Sequence, residues 1–100
     1  KPTLASEKQF RYSYDDALSY FIGGHISEDK GFALKPWKKI NFAERKLIIL
    51  KETALSMGNY FFQSVDGSDE VKVEFTFGYV KDKDNNLLIN LHHSSIPYTN

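Results

Sequence analysis

The chain has no cysteine among its 100 residues. That excludes disulfides, thiolate metal sites and thiol nucleophiles. It also has no net charge: 13 basic and 13 acidic side chains cancel, and no basic stripe emerges. Nucleic acid is therefore not expected as a partner. No apolar run approaches the roughly 18 residues that a transmembrane helix requires, and no signal or transit peptide is visible. Repeats and low-complexity tracts are absent as well. Histidine is scarce, with only His25, His92 and His93. A catalytic zinc usually takes three protein ligands, and adjacent strand residues such as His92 and His93 point apart. No His-x-His pair compensates, and the carboxylates lack ligand spacing. Asp82, Asp84 and Asn85 lack the length and terminal Glu of a calcium loop. The expected site is metal-free and holds no cofactor.

What is present suffices for one small domain over residues 1–100. At 41% hydrophobic and 15% aromatic, the chain can form a core, though a small one. Ser13-Tyr14-Asp15-Asp16 has the cap and acidic first turn of a helix start. Tyr14, Ala17, Leu18, Phe21 and Ile22 then form an apolar face, and Gly23-Gly24 ends the helix. His25 to Phe42 is expected to be a long connection anchored by Trp37. Strand patterns follow: a short run at Lys46–Leu50, a second strand at Ala54–Ser64 with a bulge or bend at Gly58, and a hairpin turn at Asp66-Gly67. From Val71 to Val80 the alternation puts Val71, Val73, Phe75, Phe77 and Tyr79 on one face. A polar turn, Lys81–Asn86, leads to a last strand, Leu87–Ser95. The sum is an α+β domain, a helix followed by a strongly curved antiparallel meander.

The last strand concentrates the chemistry. In His92-His93-Ser94-Ser95 each face of the strand receives one imidazole and one hydroxyl. One face carries His92 with Ser94, the other His93 with Ser95. Asn90, His92 and Ser94 form a polar face, and Leu87, Ile89, Leu91 and His93 a more apolar one. The polar pair His92 and Ser94 is therefore favoured for a pocket, with His93 and Ser95 as the alternative.

The order helix, long loop and four strands, ending in His92-His93-Ser94-Ser95 with Pro97, resembles the iota-class carbonic anhydrases. These have the SnoaL-like, or nuclear-transport-factor-2-like, cone fold, which is related to the association domain of calcium/calmodulin-dependent kinase II. Other matches lie in register: Pro2-Thr3, Tyr20-Phe21, Gly58-Asn59-Tyr60-Phe61-Phe62 and Thr76-Phe77-Gly78-Tyr79. The resemblance implies reversible hydration of carbon dioxide to bicarbonate at a metal-independent site. It implies Thr3, Tyr20 and one His/Ser pair, His92 and Ser94 or His93 and Ser95, as the residues around bicarbonate. It also implies a homodimer or a larger protein assembly formed through the outer sheet, and an algal plastid or bacterial compartment. Relatives begin with a long helix before the Pro-Thr strand, whereas this chain begins almost at Pro2-Thr3. The expected result is an exposed apolar groove, or a partner chain that fills it. Glu74 stands where relatives carry a basic residue, which weighs against anion binding.

Metal-free hydration faces an energetic constraint. Water (pKa ~15.7) and an ordinary histidine (pKa ~6.5) differ by about 9 units, or roughly 12 kcal/mol. A free-hydroxide step at that cost caps turnover at roughly 10³ to 10⁴ per second. A concerted route, in which water attacks as the histidine removes its proton, avoids the penalty. Hydroxyls of Ser94, Thr3 and Tyr20 would orient the water and bind the developing oxygens, with Phe61, Phe75 or Phe77 as the apolar wall. Two rivals stand beside this reading. A non-catalytic accessory or oligomerisation subunit of a larger, photosynthetic assembly would have its pocket filled by Phe and Tyr side chains. A SnoaL-like isomerase or cyclase would place Glu74 inside a large pocket. An anhydrase would have a shallow pocket that fits bicarbonate.

Overall fold

The computed structural model describes residues 1–99, the side chain of Glu44 excepted. Helix α1 spans Tyr14–Ile22, and its cap is the one the sequence specifies. The Ser13 hydroxyl accepts the Asp16 amide at 3.1 Å, and Asp15 and Asp16 occupy the positive first turn. Gly23 ends the helix at φ 73°, a left-handed value that suits glycine, and its N–H bonds the Ser19 carbonyl at 2.9 Å. The buried side of α1 differs from the expected face. Ser19 and Tyr20 are buried, while Tyr14 is 78% and Ile22 47% exposed. The cause lies outside the helix: Ser19 donates to the Asp29 carboxylate at 2.6 Å, and the Tyr20 ring stacks on Phe32 at 5.5 Å. Tertiary partners thus rotate the helix away from the face that its own apolar pattern prefers.

Four antiparallel strands follow in the order β1-β2-β3-β4: β1 Trp37–Ile49, β2 Thr53–Ser64, β3 Glu70–Lys81 and β4 Leu87–Ser95. The class is α+β, as expected, with α1 on one face of the sheet. β1 starts at Trp37, so the last part of the expected connection, up to Phe42, is strand. Trp37-Lys38-Lys39-Ile40 lacks alternation because the register slips at Lys38, between the pairs Trp37–Ser64 and Lys39–Gln63. Gly58 is not bulged against β3, where it pairs in register with Phe75. The irregularity faces it from β1, where Ala43 pairs with Asn59 and Lys46 with Met57, so one extra residue is fitted there.

Cross-strand partners share a face, so the registers assign the two sides of the sheet. The inner face carries the expected β3 stripe, with Val73 and Phe75 buried. Tyr60 and Phe62 of β2 and Phe42 of β1 join it through aromatic contacts at 4.7–5.6 Å. Trp37 and Phe32 close one end of the cluster, with Trp37 5.2 Å from Phe62. Glu70–Lys81 pairs with both neighbours and is the central strand of this core.

The first 11 residues lie over the site end of the inner face. The Lys1 amine donates to the His92 carbonyl at 2.7 Å, and the Ser94 amide donates to the Lys1 carbonyl at 2.8 Å. Farther along, the Glu28 carboxylate accepts the amides of Ser6, Glu7 and Lys8 at 2.9, 3.1 and 2.7 Å. These amides hold the carboxyl well below its usual value, at about 2. Arg11 makes a two-pronged pair with Asp29, both bonds 2.9 Å, with each side chain nearly sealed from solvent.

Candidate active site

The polar pair favoured from the sequence lies on the inner face. His92 pairs with Phe77 and Ser94 with Phe75, both on the apolar stripe of β3. The route to that parity was partly wrong. β4 does not alternate cleanly, because its register slips by one residue at Asn90, between the pairs Gly78–Leu91 and Tyr79–Ile89. The slip places Ile89 on the same face as His92. The Asn90 side chain instead packs close to Gly78: a Cβ on Gly78 would come within 2.7 Å of the Asn90 amide oxygen.

Ser94 has no exposed surface. Its hydroxyl lies 2.9 Å from His92 Nε2 and 3.0 Å from the Tyr60 phenol oxygen. The His92 ring is gripped between Phe77 at 5.2 Å and Phe21 at 5.9 Å, centroid to centroid. Burial first, then the positive Lys1 amine and His93, lowers the His92 pKa from its ordinary value to about 4. The imidazole is consequently neutral at physiological pH. Burial raises the Tyr20 and Tyr60 pKa values, so both phenols keep their protons.

Thr3 and Tyr20 complete the group. The Tyr20 oxygen accepts the Leu4 amide at 3.4 Å, which ties the N-terminal segment to α1. Thr3 borders the same cavity as both phenols, Tyr20 and Tyr60. Thr3, Tyr20, Tyr60 and His92 together line a cavity of about 860 Å³ that is half open to solvent. Its other walls are apolar and include Phe21, Phe32, Trp37, Ile40 and Phe77. The expected apolar groove is present, and it is far larger than a pocket cut to bicarbonate. Lys1, Arg11, Ser13 and Asn90 also border it.

The alternative pair lies on the opposite side of the sheet. His93 pairs with Thr76 and Ser95 with Glu74, and the Ser95 hydroxyl donates to Glu74 Oε1 at 2.9 Å. His93, Ser95 and Glu74 border a separate, shallow outer depression. Glu74 therefore neither opposes an anion in the inner cavity nor serves there as an acid or base. Phe61 is also on the outer face, paired with Lys72, and cannot wall the cavity; Phe77 can. Among the described residues, no three His, Asp or Glu side chains converge as a metal ion would require.

Tyr60 is the residue that the sequence reading missed. Its signal was present in the Gly58-to-Phe62 motif and in its two-residue spacing from Phe62. A tyrosine in an aromatic strand reads as core, however, until its hydroxyl is found against Ser94.

Residues 1–96 match the family described as metal-independent carbonic anhydrase. A metal-independent carbonic anhydrase from Nostoc sp. (strain PCC 7120) is 41% identical over 101 residues, 98% of this chain and 49% of the relative. The crystal structure of a cyanobacterial iota-carbonic anhydrase complexed with bicarbonate superimposes with a TM-score of 0.90 at 39% identity, over 100% of this chain and 62% of that one. The chain thus spans about half the length of the curated relative it matches.

Proposed function

Because the chain belongs to the metal-independent carbonic anhydrase family, we propose that it forms the site at which carbon dioxide is reversibly hydrated to bicarbonate without a metal. The observation behind this reading is a convergence. Thr3, Tyr20, Tyr60 and the His92/Ser94 pair are far apart in sequence, yet the first three line one largely apolar cavity with His92, and Ser94 is buried behind His92 and Tyr60. The apolar walls suit carbon dioxide, a neutral molecule without a hydrogen-bond donor. The hydroxyls suit the charge that appears on oxygen as it becomes bicarbonate.

The depressed pKa of His92 sharpens the energetic constraint. A base of pKa about 4 lies roughly 12 units below water, or about 16 kcal/mol. Free hydroxide formed against that gap would limit turnover to roughly 10 per second. A route in which the O–C bond forms as the proton leaves avoids that limit and gives bicarbonate without free hydroxide. His92 is the terminal proton acceptor, and Ser94 holds its Nε2. Thr3 and Tyr20 orient the water and take up the developing oxygens. Phe77 and Phe21 fix the imidazole plane.

Association of copies is part of the proposal. The outer face presents Ile48, Leu55 and Met57, which are 59, 45 and 61% exposed. Light scattering after size exclusion should give a multiple of the single-chain mass, and a Met57→Lys change should shift it downward.

Stopped-flow hydration of carbon dioxide, with and without chelator, tests the central claim. Chelator-resistant activity that disappears in His92→Ala supports it. A folded protein without activity would transfer the site to a purely binding or scaffolding role.

A further inference from the structure

The hydration reading leaves the path of the proton open, and the geometry constrains it. His92 Nε2 is not free for water, because Ser94 Oγ occupies it at 2.9 Å. Ser94 cannot meet water either, because it has no exposed surface. Beyond Ser94, at 3.0 Å, lies the Tyr60 hydroxyl, and Tyr60 does line the cavity. We propose that Tyr60 is the cavity-facing end of a proton relay that runs through Ser94 to His92 Nε2.

The direction of the chain follows from donor strength. Three groups share two hydrogen bonds, and each hydroxyl has one proton to give. A phenol is a stronger donor and a weaker acceptor than an aliphatic alcohol. Tyr60 therefore donates to Ser94 Oγ, Ser94 donates to His92 Nε2, and the imidazole carries its own proton on Nδ1. The raised pKa of the Tyr60 phenol keeps its proton in place at the start.

This proposal rests on the hydration reading and gives it a balanced step. A water in the cavity hydrogen-bonds the Tyr60 oxygen. Its oxygen bonds to the carbon of carbon dioxide, and the π pair of one C=O bond moves to that oxygen. As it does so, the water proton passes to Tyr60, the Tyr60 proton to Ser94, and the Ser94 proton to Nε2. Each hydroxyl gains one proton and loses one, so the net products are bicarbonate and imidazolium. Once bicarbonate has left, the imidazolium, with a pKa of about 4, returns the Nε2 proton through Ser94 and Tyr60 to a second water in the cavity, which restores the starting direction of both hydrogen bonds.

Tyr60→Phe keeps the ring and its contacts with Phe62 and Phe75 and removes only the relay atom. Turnover should fall about 100-fold, in the range of general acid–base contributions, with little change in KM. Added imidazole, small enough to enter the cavity, should restore about tenfold of that loss. A Tyr60→Phe enzyme within threefold of wild type would overturn the relay and leave the hydration reading intact. Wild-type protein without hydration would overturn both. Nitrogen-15 NMR of wild-type His92 gives a check that depends on neither activity nor a variant. An unprotonated Nε2 with the proton on Nδ1 is expected, and the Nε2–H tautomer would overturn the relay.

Discussion

β4 carries the same pair of side chains twice, once on each face, and the two copies have different surroundings. On the inner face, His92 and Ser94 lie under the N-terminal segment and α1, between Phe77 and Phe21 and against Tyr60. On the outer face, His93 and Ser95 meet Thr76 and Glu74 at an open surface. Residue type is equal on the two sides, so the difference in chemistry comes from what the rest of the chain lays over one of them. Burial tunes the inner imidazole and sets its serine against Tyr60, whereas the outer serine is held by Glu74 and the outer imidazole faces water.

The strongest test of that contrast compares the two histidines. His92→Ala should lower carbon dioxide hydration at least 100-fold, while His93→Ala should stay within twofold, by stopped-flow assay. Equal losses would erase the distinction between the faces. The serines come next. Ser94→Ala strands a buried phenol and an imidazole nitrogen and cuts the relay, so it should cost about 1–3 kcal/mol in urea unfolding and about 100-fold in turnover. Ser95→Ala, at the surface, should stay within about 0.5 kcal/mol.

The cover of the inner face can be loosened without touching the site. Asp29→Asn removes the charge that Arg11 grips and weakens the anchor of the segment that carries Thr3. We expect a loss of about 3 kcal/mol, as for removing one charge of a buried ion pair. Activity should fall with a rise in KM as Thr3 wanders.

The pH dependence tests the inner histidine alone. His92 binds its proton more weakly folded than unfolded, about 4 against an ordinary 6.5. The unfolded chain therefore takes up more protons between those values. Stability from this group is complete above about pH 6.5 and is lost as pH falls toward 4. The activity due to His92 should be level from pH 8 to 6 and collapse only near 4.

How much of this was legible depends on where the information lay. The α1 cap, the glycine stop, the Asp66-Gly67 hairpin and the β3 stripe are local patterns, and Ser13, Gly23, Gly67 and Phe75 behave as their chemistry requires. Thr3, Tyr20 and the histidine-serine run were visible through motif, and the cavity brings Thr3, Tyr20 and His92 together, with Ser94 behind them and His93 and Ser95 on the other face. The rotation of α1, the early start of β1, the slip at Asn90 and the Arg11–Asp29 pair were not visible. Each is decided by a partner far along the chain, and strand parity in particular changes with one extra residue that no local pattern announces. Parity identified His92 and Ser94 through an alternation that β4 does not keep.

The bond from the Ser94 amide to the Lys1 carbonyl makes one hydrogen atom a reporter. Thr3 lies two residues beyond Lys1, so an anion held by the Thr3 hydroxyl restrains the same short segment that shields this amide. By reciprocity, occupancy of the cavity and protection of the Ser94 N–H against deuterium should rise together. The exchange rate of a single main-chain proton would then track, at the edge of β4, whether the site two residues away is empty or full.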